Sequence, residues 1–184
     1  EAFGRLDAVV NNAAWVPTST ITDTGIELWD TVQAVNLRAP FQIIQVAVPE
    51  LSRTNGCVLN VGSINAYAGE PELLAYSVSK GGLTTLTRNL GDSLHRDFGI
   101  RVNQINPGWT LTDSEIRKKQ EHGLPEDWPT RVPREFAPSG SILPPESVAA
   151  CALYFLSDES RPVSAAIVDL EQYPVVGRNP PKRF

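Results

Sequence analysis

Five consecutive residues, Tyr76-Ser77-Val78-Ser79-Lys80, carry the strongest chemical signal in the sequence. If the segment is helical, the spacing from Tyr76 to Lys80 puts both side chains on one face, where an ammonium can sit beside a phenol. A free tyrosine titrates near 10, too high for ready proton exchange at neutral pH, and an adjacent positive charge favours the phenolate. Such a pair would be a tuned general acid/base. Taken alone, the match also describes an ordinary Tyr and Lys on a solvated helix face, so the surroundings decide. Upstream, Ser63 follows the apolar run Val58 to Val61, which would bring its hydroxyl out at the carboxyl end of a parallel strand, where open α/β sheets place ligands. Asn12-Ala13-Ala14 ends an earlier apolar run in the same way, and Asn106-Pro107-Gly108-Trp109-Thr110-Leu111-Thr112 ends a later one.

Those residues need a scaffold. Short β-branched runs alternate with longer segments of helical period, the pattern of strands joined by crossover helices. Strands are predicted over Leu6 to Asn11, Cys57 to Gly62, Ile100 to Ile105 and Ala165 to Leu170, and their near-continuous hydrophobicity suits strands covered on both faces. Gly25 to Ser52 reads as a long helix interrupted by Pro40, with Trp29, Val32, Val35, Ile43, Val46 and Leu51 inward. A second helix from about Leu74 to Phe98 turns Val78, Leu83, Leu86, Leu90 and Leu94 inward and stops at Gly99. Pro144 to Ser157 makes a third, through Val148, Ala152 and Phe155. Over residues 109–143 the periodicity fails at Pro125, Pro129, Pro133 and Pro138, which inside a compact domain usually marks a lid or binding loop. The predicted class is α/β, a doubly wound parallel sheet with helices on both faces, Rossmann-like.

The 184 residues, 41% hydrophobic, can bury one sizeable core, so residues 1–184 are expected to form one domain. A net charge of −5 is the wrong sign for gathering phosphate backbones and argues against a nucleic-acid partner. No apolar run approaches the roughly 20 residues that span a bilayer, so no membrane partner and a cytoplasmic location are expected. Cys57 and Cys151 lie far apart inside apolar stretches, suggesting neither a disulfide nor a metal site. His95 and His122 are expected on the surface, and Arg117-Lys118-Lys119 on the wet face of a short helix. The chain contains no methionine and opens on Glu1-Ala2-Phe3-Gly4, like the tail of a helix already under way, so it is expected to be part of a longer protein.

In this order the motifs resemble those of the short-chain dehydrogenase/reductase family, of its simple single-domain type. The matching residues are Asn11-Asn12-Ala13-Ala14 for the family's Asn-Asn-Ala-Gly strand end, Asn36, Ser63, the Tyr76/Lys80 pair, and the Pro107-Gly108 turn with Thr112. The resemblance covers nearly the whole chain and corresponds to the later part of the family's fold. The first strand, the glycine-rich turn that cradles the cofactor pyrophosphate and the residue that separates NAD from NADP would lie in a preceding portion.

What the resemblance implies is an NAD- or NADP-dependent oxidoreductase interconverting a secondary alcohol and a ketone, forming a homo-oligomer, a tetramer or dimer. Tyr76 would exchange a proton with the substrate oxygen, Lys80 would lower the Tyr76 pKa and bind the nicotinamide ribose, and Ser63 would hydrogen-bond the same substrate oxygen. Asn36 would bind a water connecting Lys80 to solvent. Pro40 gives that a physical footing, because residue 40 of a regular helix would donate its N–H to the Asn36 carbonyl and proline has none; a plain proline kink is the other reading. Asn12, Ala13, Ala14, Pro107, Gly108, Thr110 and Thr112 would join Tyr76 and Lys80 against the cofactor. Asn65 and Trp109 would join Ser63 and Tyr76 against the substrate. Trp109 and Trp128 either wall the pocket or simply pack.

Two departures stand out. Ala14 replaces the usual glycine, and Val163-Ser164-Ala165-Ala166 leads through Asp169 and Glu171 to a basic tail, where the family commonly has a glycine and then Val-Asp-Gly-Gly. The polar and aromatic mix of 109–143 favours a small sugar, polyol or hydroxy compound. Sugar-nucleotide epimerases and dehydratases share the tyrosine and lysine spacing but generally carry a larger carboxyl-terminal domain. A non-catalytic binding or scaffold protein of the same fold is a further alternative, against which stands the presence of Asn36, Ser63, Tyr76 and Lys80 together.

Overall fold

A computed structural model of the chain describes residues 3–176; the helix tail expected at Glu1 and Ala2 and the basic tail from residue 177 lie outside the described residues. Strands β1 (Ala8–Asn11), β2 (Cys57–Val61), β3 (Arg101–Pro107) and β4 (Ile167–Leu170) form one parallel sheet in chain order. The register sets Asn11 beside Asn60, Asn60 beside Gln104, and Asn106 beside Asp169. A polar row therefore crosses the carboxyl half of an otherwise apolar sheet.

Helices cover both faces, as predicted for a Rossmann-like sheet. On one side α2 (Ala39–Thr54) and α4 (Leu74–Phe98) bring Ile44, Leu51 and Leu94 onto Val58, Ile100 and Val102. On the other, α6 (Pro145–Leu156) seats Phe155 on Leu59 and Ile105. Adjacent strand residues such as Val58 and Leu59 enter opposite clusters because successive side chains alternate across a sheet. The helices α1 (Ile26–Gln33), α3 (Asn65–Ala68) and α5 (Asp113–Glu121) complete the set, with short 3-10 turns at Trp128–Thr130 and Asp158–Ser160. Gly99, at φ 69°, ends α4 where an L side chain would be strained. Among the described residues no helix is long and apolar enough to cross a membrane.

The long helix predicted from Gly25 to Ser52 is broken by a π turn at Ala34–Arg38, immediately before Pro40. Proline cannot donate to the carbonyl four residues back and crowds it, and a widened turn relieves both problems. A π turn inserts one extra residue, which rotates everything after it by about 100°. The inward stripe of α2 accordingly runs through Pro40, Ile44, Ala47 and Leu51, one position later than predicted for Ile43 and Val46. Those two face outward, Val46 with 75% of its surface exposed. On α4 the periodicity also misleads at Val78, which is exposed. The buried face there carries Ala75, Ser79, Lys80, Leu83 and Thr87, because polar residues occupy the side turned to the sheet.

Candidate active site

Four elements converge at the carboxyl ends of the strands. β2 ends at Val61, and the chain turns through Gly62 and Ser63 into α3. Ser63 is buried, and its Oγ accepts the Asn65 N–H at 3.2 Å. The first turns of α4 bring up Tyr76 and Lys80 on one side, with Lys80 Nζ 5.6 Å from the Tyr76 ring centroid. Lys80 is 2% exposed, and its Nζ donates to the Val61 carbonyl at 2.7 Å. The lysine thereby ties α4 to the strand end that carries Ser63. Ser63 lies near enough to the Tyr76 phenol to favour its charged form, so the three groups form one cluster.

The electrostatics differ from the sequence expectation. Burial pushes the Tyr76 phenol above its ordinary 10, opposed by the hydrogen bond from Ser63. The same burial lowers the Lys80 ammonium from 10.5 to about 8, since desolvation disfavours whichever form is charged. In the protein alone the phenol therefore stands above 10, set by burial and opposed by Ser63, where the spacing to Lys80 led to the expectation of a value below it. Spacing gives proximity but says nothing of depth.

Asn36 sits in the π turn, buried. Its Oδ1 accepts the Trp15 N–H at 2.8 Å, and its Nδ2 donates to the Trp15 carbonyl at 2.9 Å and to Ser79 Oγ at 3.1 Å. Ser79 Oγ donates in turn to the Tyr76 carbonyl at 2.6 Å. The Asn36 side chain is therefore occupied in pinning the segment after β1 to α4, and only its main-chain carbonyl answers to the water-binding expectation. Asn12, Ala13 and Ala14 lie exposed past the end of β1.

The turn after β3 is held by several contacts. The Pro107 carbonyl accepts the Ile64 N–H at 3.3 Å, and the Gly108 N–H donates to the Leu170 carbonyl at 2.8 Å. Glu171 Oε2 accepts the Trp109 N–H at 3.1 Å. Thr110 Oγ1 donates to the Gly108 carbonyl at 3.1 Å. Thr112 caps α5, its Oγ1 accepting the Glu115 N–H at 3.2 Å. The Trp109 indole stacks on Trp128 with centroids 5.8 Å apart, donates from Nε1 to Glu115 Oε1 at 2.8 Å, and has Lys119 Nζ 5.5 Å from its ring. Lys119 is thus partly engaged rather than wholly on a wet face. The Asn65 amide donates to Glu70 Oε2 at 3.3 Å.

Sequence reading gave no site role to Asn106, Gln104, Tyr67, Asp169 and Glu171, which also meet here. Asn103, Gln104 and Asn106 sit in an apolar strand and are fully buried. Three carboxamides in one buried strand were the available signal, because a buried polar side chain must find partners.

Against known proteins, residues 1–171 match the family described as enoyl-(acyl carrier protein) reductase. An uncharacterized oxidoreductase of Thermotoga maritima is 36% identical over 86% of this chain and 61% of its own length. A 3-oxoacyl-acyl carrier protein reductase from the same organism is 31% identical over 93% of this chain and 67% of its own. The crystal structure of a putative short-chain alcohol dehydrogenase from Sinorhizobium meliloti superposes with a TM-score of 0.80 at 28% identity, covering 91% of this chain and 65% of that one. The chain thus spans about three-fifths to two-thirds of the length of these relatives. Motif order, sheet and sequence similarity agree, and the chain belongs to the short-chain dehydrogenase/reductase family.

Proposed function

We propose that the protein is an NAD- or NADP-dependent oxidoreductase that interconverts a secondary alcohol and a ketone, with Tyr76 as the group that moves the proton. The observation that carries this reading is the Lys80 ammonium bonded to the Val61 carbonyl at 2.7 Å while lying 5.6 Å from the Tyr76 ring, beside Ser63. Phenol, cation and hydroxyl then face one reacting oxygen. The residues present fit the nicotinamide-ribose end of the cofactor. An ammonium has three donors, and a buried one bonded to a single carbonyl keeps capacity for ribose hydroxyls. Pro107, Gly108, Thr110 and Thr112 would border the nicotinamide, and Asn12, Ala13 and Ala14 the adenosine side.

When bound, the nicotinamide supplies or accepts the hydride at the substrate carbon. For reduction, Tyr76 Oη donates its proton to the carbonyl oxygen, and Ser63 Oγ holds that oxygen by a hydrogen bond. For oxidation, the same Oη takes the hydroxyl proton. A phenol raised above 10 keeps its proton at neutral pH, so this site is set to donate, favouring reduction near pH 7 and oxidation in alkali. Asn36 serves as a positioning residue, its carbonyl accepting from a water that links Lys80 to solvent. Asn65 and Trp109 would border the substrate together with the loop 109–143, and the polar character of that loop favours a small sugar, polyol or hydroxy compound. The name of the 3-oxoacyl relative makes an acyl thioester the second class to try. A homo-oligomer belongs to the same reading, since α2 leaves Phe41 and Val46 exposed.

The test is a panel of ketones and alcohols offered to the full-length protein with both nicotinamides, followed by absorbance, with Tyr76→Phe run alongside. Turnover of a carbonyl compound that disappears in Tyr76→Phe is expected. Turnover undiminished in Tyr76→Phe would remove the mechanism.

A further inference from the structure

Polar side chains of β1 to β4, joined between β2 and β3 by Thr87 of α4, link into one hydrogen-bonded row. Asn11 Nδ2 donates to Asn60 Oδ1 at 2.8 Å, and Asn60 Nδ2 to Thr87 Oγ1 at 2.8 Å. Thr87 Oγ1 donates to Gln104 Oε1 at 2.8 Å, and Gln104 Nε2 to Asn106 Oδ1 at 2.7 Å. Asn106 Oδ1 also accepts the backbone N–H of Ser63 at 3.2 Å. Its Nδ2 donates to Asp169 Oδ1 at 3.0 Å and to Tyr67 Oη at 3.3 Å, while Tyr67 Oη donates to the same Asp169 oxygen at 3.0 Å.

Every hydrogen-bonding position of the Asn106 carboxamide is thereby used, and the side chain is fully buried. Its orientation is dictated. Turned over, it would set its NH2 against the Ser63 N–H and the Gln104 NH2, and its oxygen against the Asp169 carboxylate. Asp169, exposed at the open end of the row, thus fixes which atom Ser63 meets. Gly62 makes room for the arrangement: a Cβ there would lie 2.0 Å from Asn106 Oδ1 and 2.3 Å from Gln104 Nε2.

We infer that Asn106, oriented by Asp169, is a positioning residue that sets the Ser63 hydroxyl toward Tyr76 through the Ser63 backbone amide. The inference rests on the oxidoreductase reading and adds a residue to it. Buried carboxamides with every partner satisfied rigidify what they hold, and displacing a positioning group by about 1 Å can cost about a hundredfold in rate. The Ser63 Oγ itself accepts only from the Asn65 N–H at 3.2 Å among the described backbone groups, at the half-buried start of the short α3.

The experiment is a double-mutant cycle in the full-length protein, using the carbonyl substrate found above. Asn106→Ala should lower kcat about tenfold to a hundredfold, leave the nicotinamide KM within about twofold, and move the pH profile of kcat in the alkaline direction, as Ser63→Ala does. In the Ser63→Ala background the same substitution should cost little more. A packing role alone would not move the pH profile and would add in full to Ser63→Ala; either result, or an unchanged kcat, overturns the inference. Asp169→Ala, at an exposed position, gives the same reading if Asn106→Ala does not accumulate. A few-fold fall in kcat that vanishes in the Ser63→Ala background supports the inference, and no fall refutes it. If Ser63→Ala itself is without effect, the oxidoreductase reading fails and this inference with it. If Ser63→Ala is damaging and Asn106→Ala fully additive, only this inference fails.

Discussion

Removing the charge on Lys80 should make the free protein more tolerant of neutral pH while destroying its chemistry. Lys80→Met keeps most of the apolar stem and deletes the ammonium. In the folded protein that ammonium titrates at about 8 instead of 10.5, so the unfolded chain binds more protons between those values. The lysine's contribution to stability is therefore full above 10.5 and is lost as pH falls through about 8. Integrated from pH 7 to pH 9.5, the parent should gain about 2 kcal/mol relative to Lys80→Met. The bond to the Val61 carbonyl is lost as well, about 1.5–3 kcal/mol while the donor is charged, so the sign of the pH dependence, and not the absolute difference, carries the test. Urea unfolding of the cofactor-free full-length protein and its variant at several pH values reads the difference directly, and other titrating groups cancel in it. A difference independent of pH would mean that the ammonium is hydrated in the native state, and the desolvated cation on which the site reading depends would be gone. The stability cost of burying this charge is what a catalytic role would explain.

Two further outcomes follow from the scaffold. Ala165 sits at φ 61°, a left-handed conformation that costs an L residue about 1–2 kcal/mol, so Ala165→Gly should stabilise the protein by about 0.5–1 kcal/mol after the greater unfolded-chain freedom of glycine is deducted; a lowered urea midpoint would contradict this. Asn36→Ala removes both bonds to the Trp15 backbone and should cost about 1–2 kcal/mol while speeding amide exchange at Trp15, and unchanged exchange there would show that the segment is held by something else.

How far the sequence was legible depended on which physical signal each element sends. α4 was readable over its full length, Leu74–Phe98, because Gly99 supplies an unambiguous stop and Tyr76 and Lys80 need one helical face. The four strands were readable because buried parallel strands are continuous apolar runs, although their ends were misplaced by a few residues. The stripe of α2 was not, since the extra residue of the π turn is imposed at Pro40 and leaves no mark in an amphipathic pattern. The polar row through Asn60, Gln104 and Asn106 was missed for the opposite reason: on a one-dimensional reading its members only interrupt hydrophobic runs, and what links them, Asn11 on β1 and Thr87 on α4, is distant in sequence. The proximity of Tyr76 and Lys80 was legible, but the direction of the Tyr76 shift was not, because burial is a property of the packed fold.

The claim at the centre of this account is that the Tyr76 phenol carries the proton at the reacting oxygen. The measurement that bears on it most directly pairs two quantities for Tyr76→Phe in the full-length protein: the nicotinamide Kd, by quenching of intrinsic fluorescence, and kcat with the carbonyl substrate. The account predicts an essentially unchanged Kd, because Lys80 and the backbone remain, with kcat down by about a hundredfold to ten-thousandfold. A kcat close to that of the parent, with Kd unchanged, would contradict it.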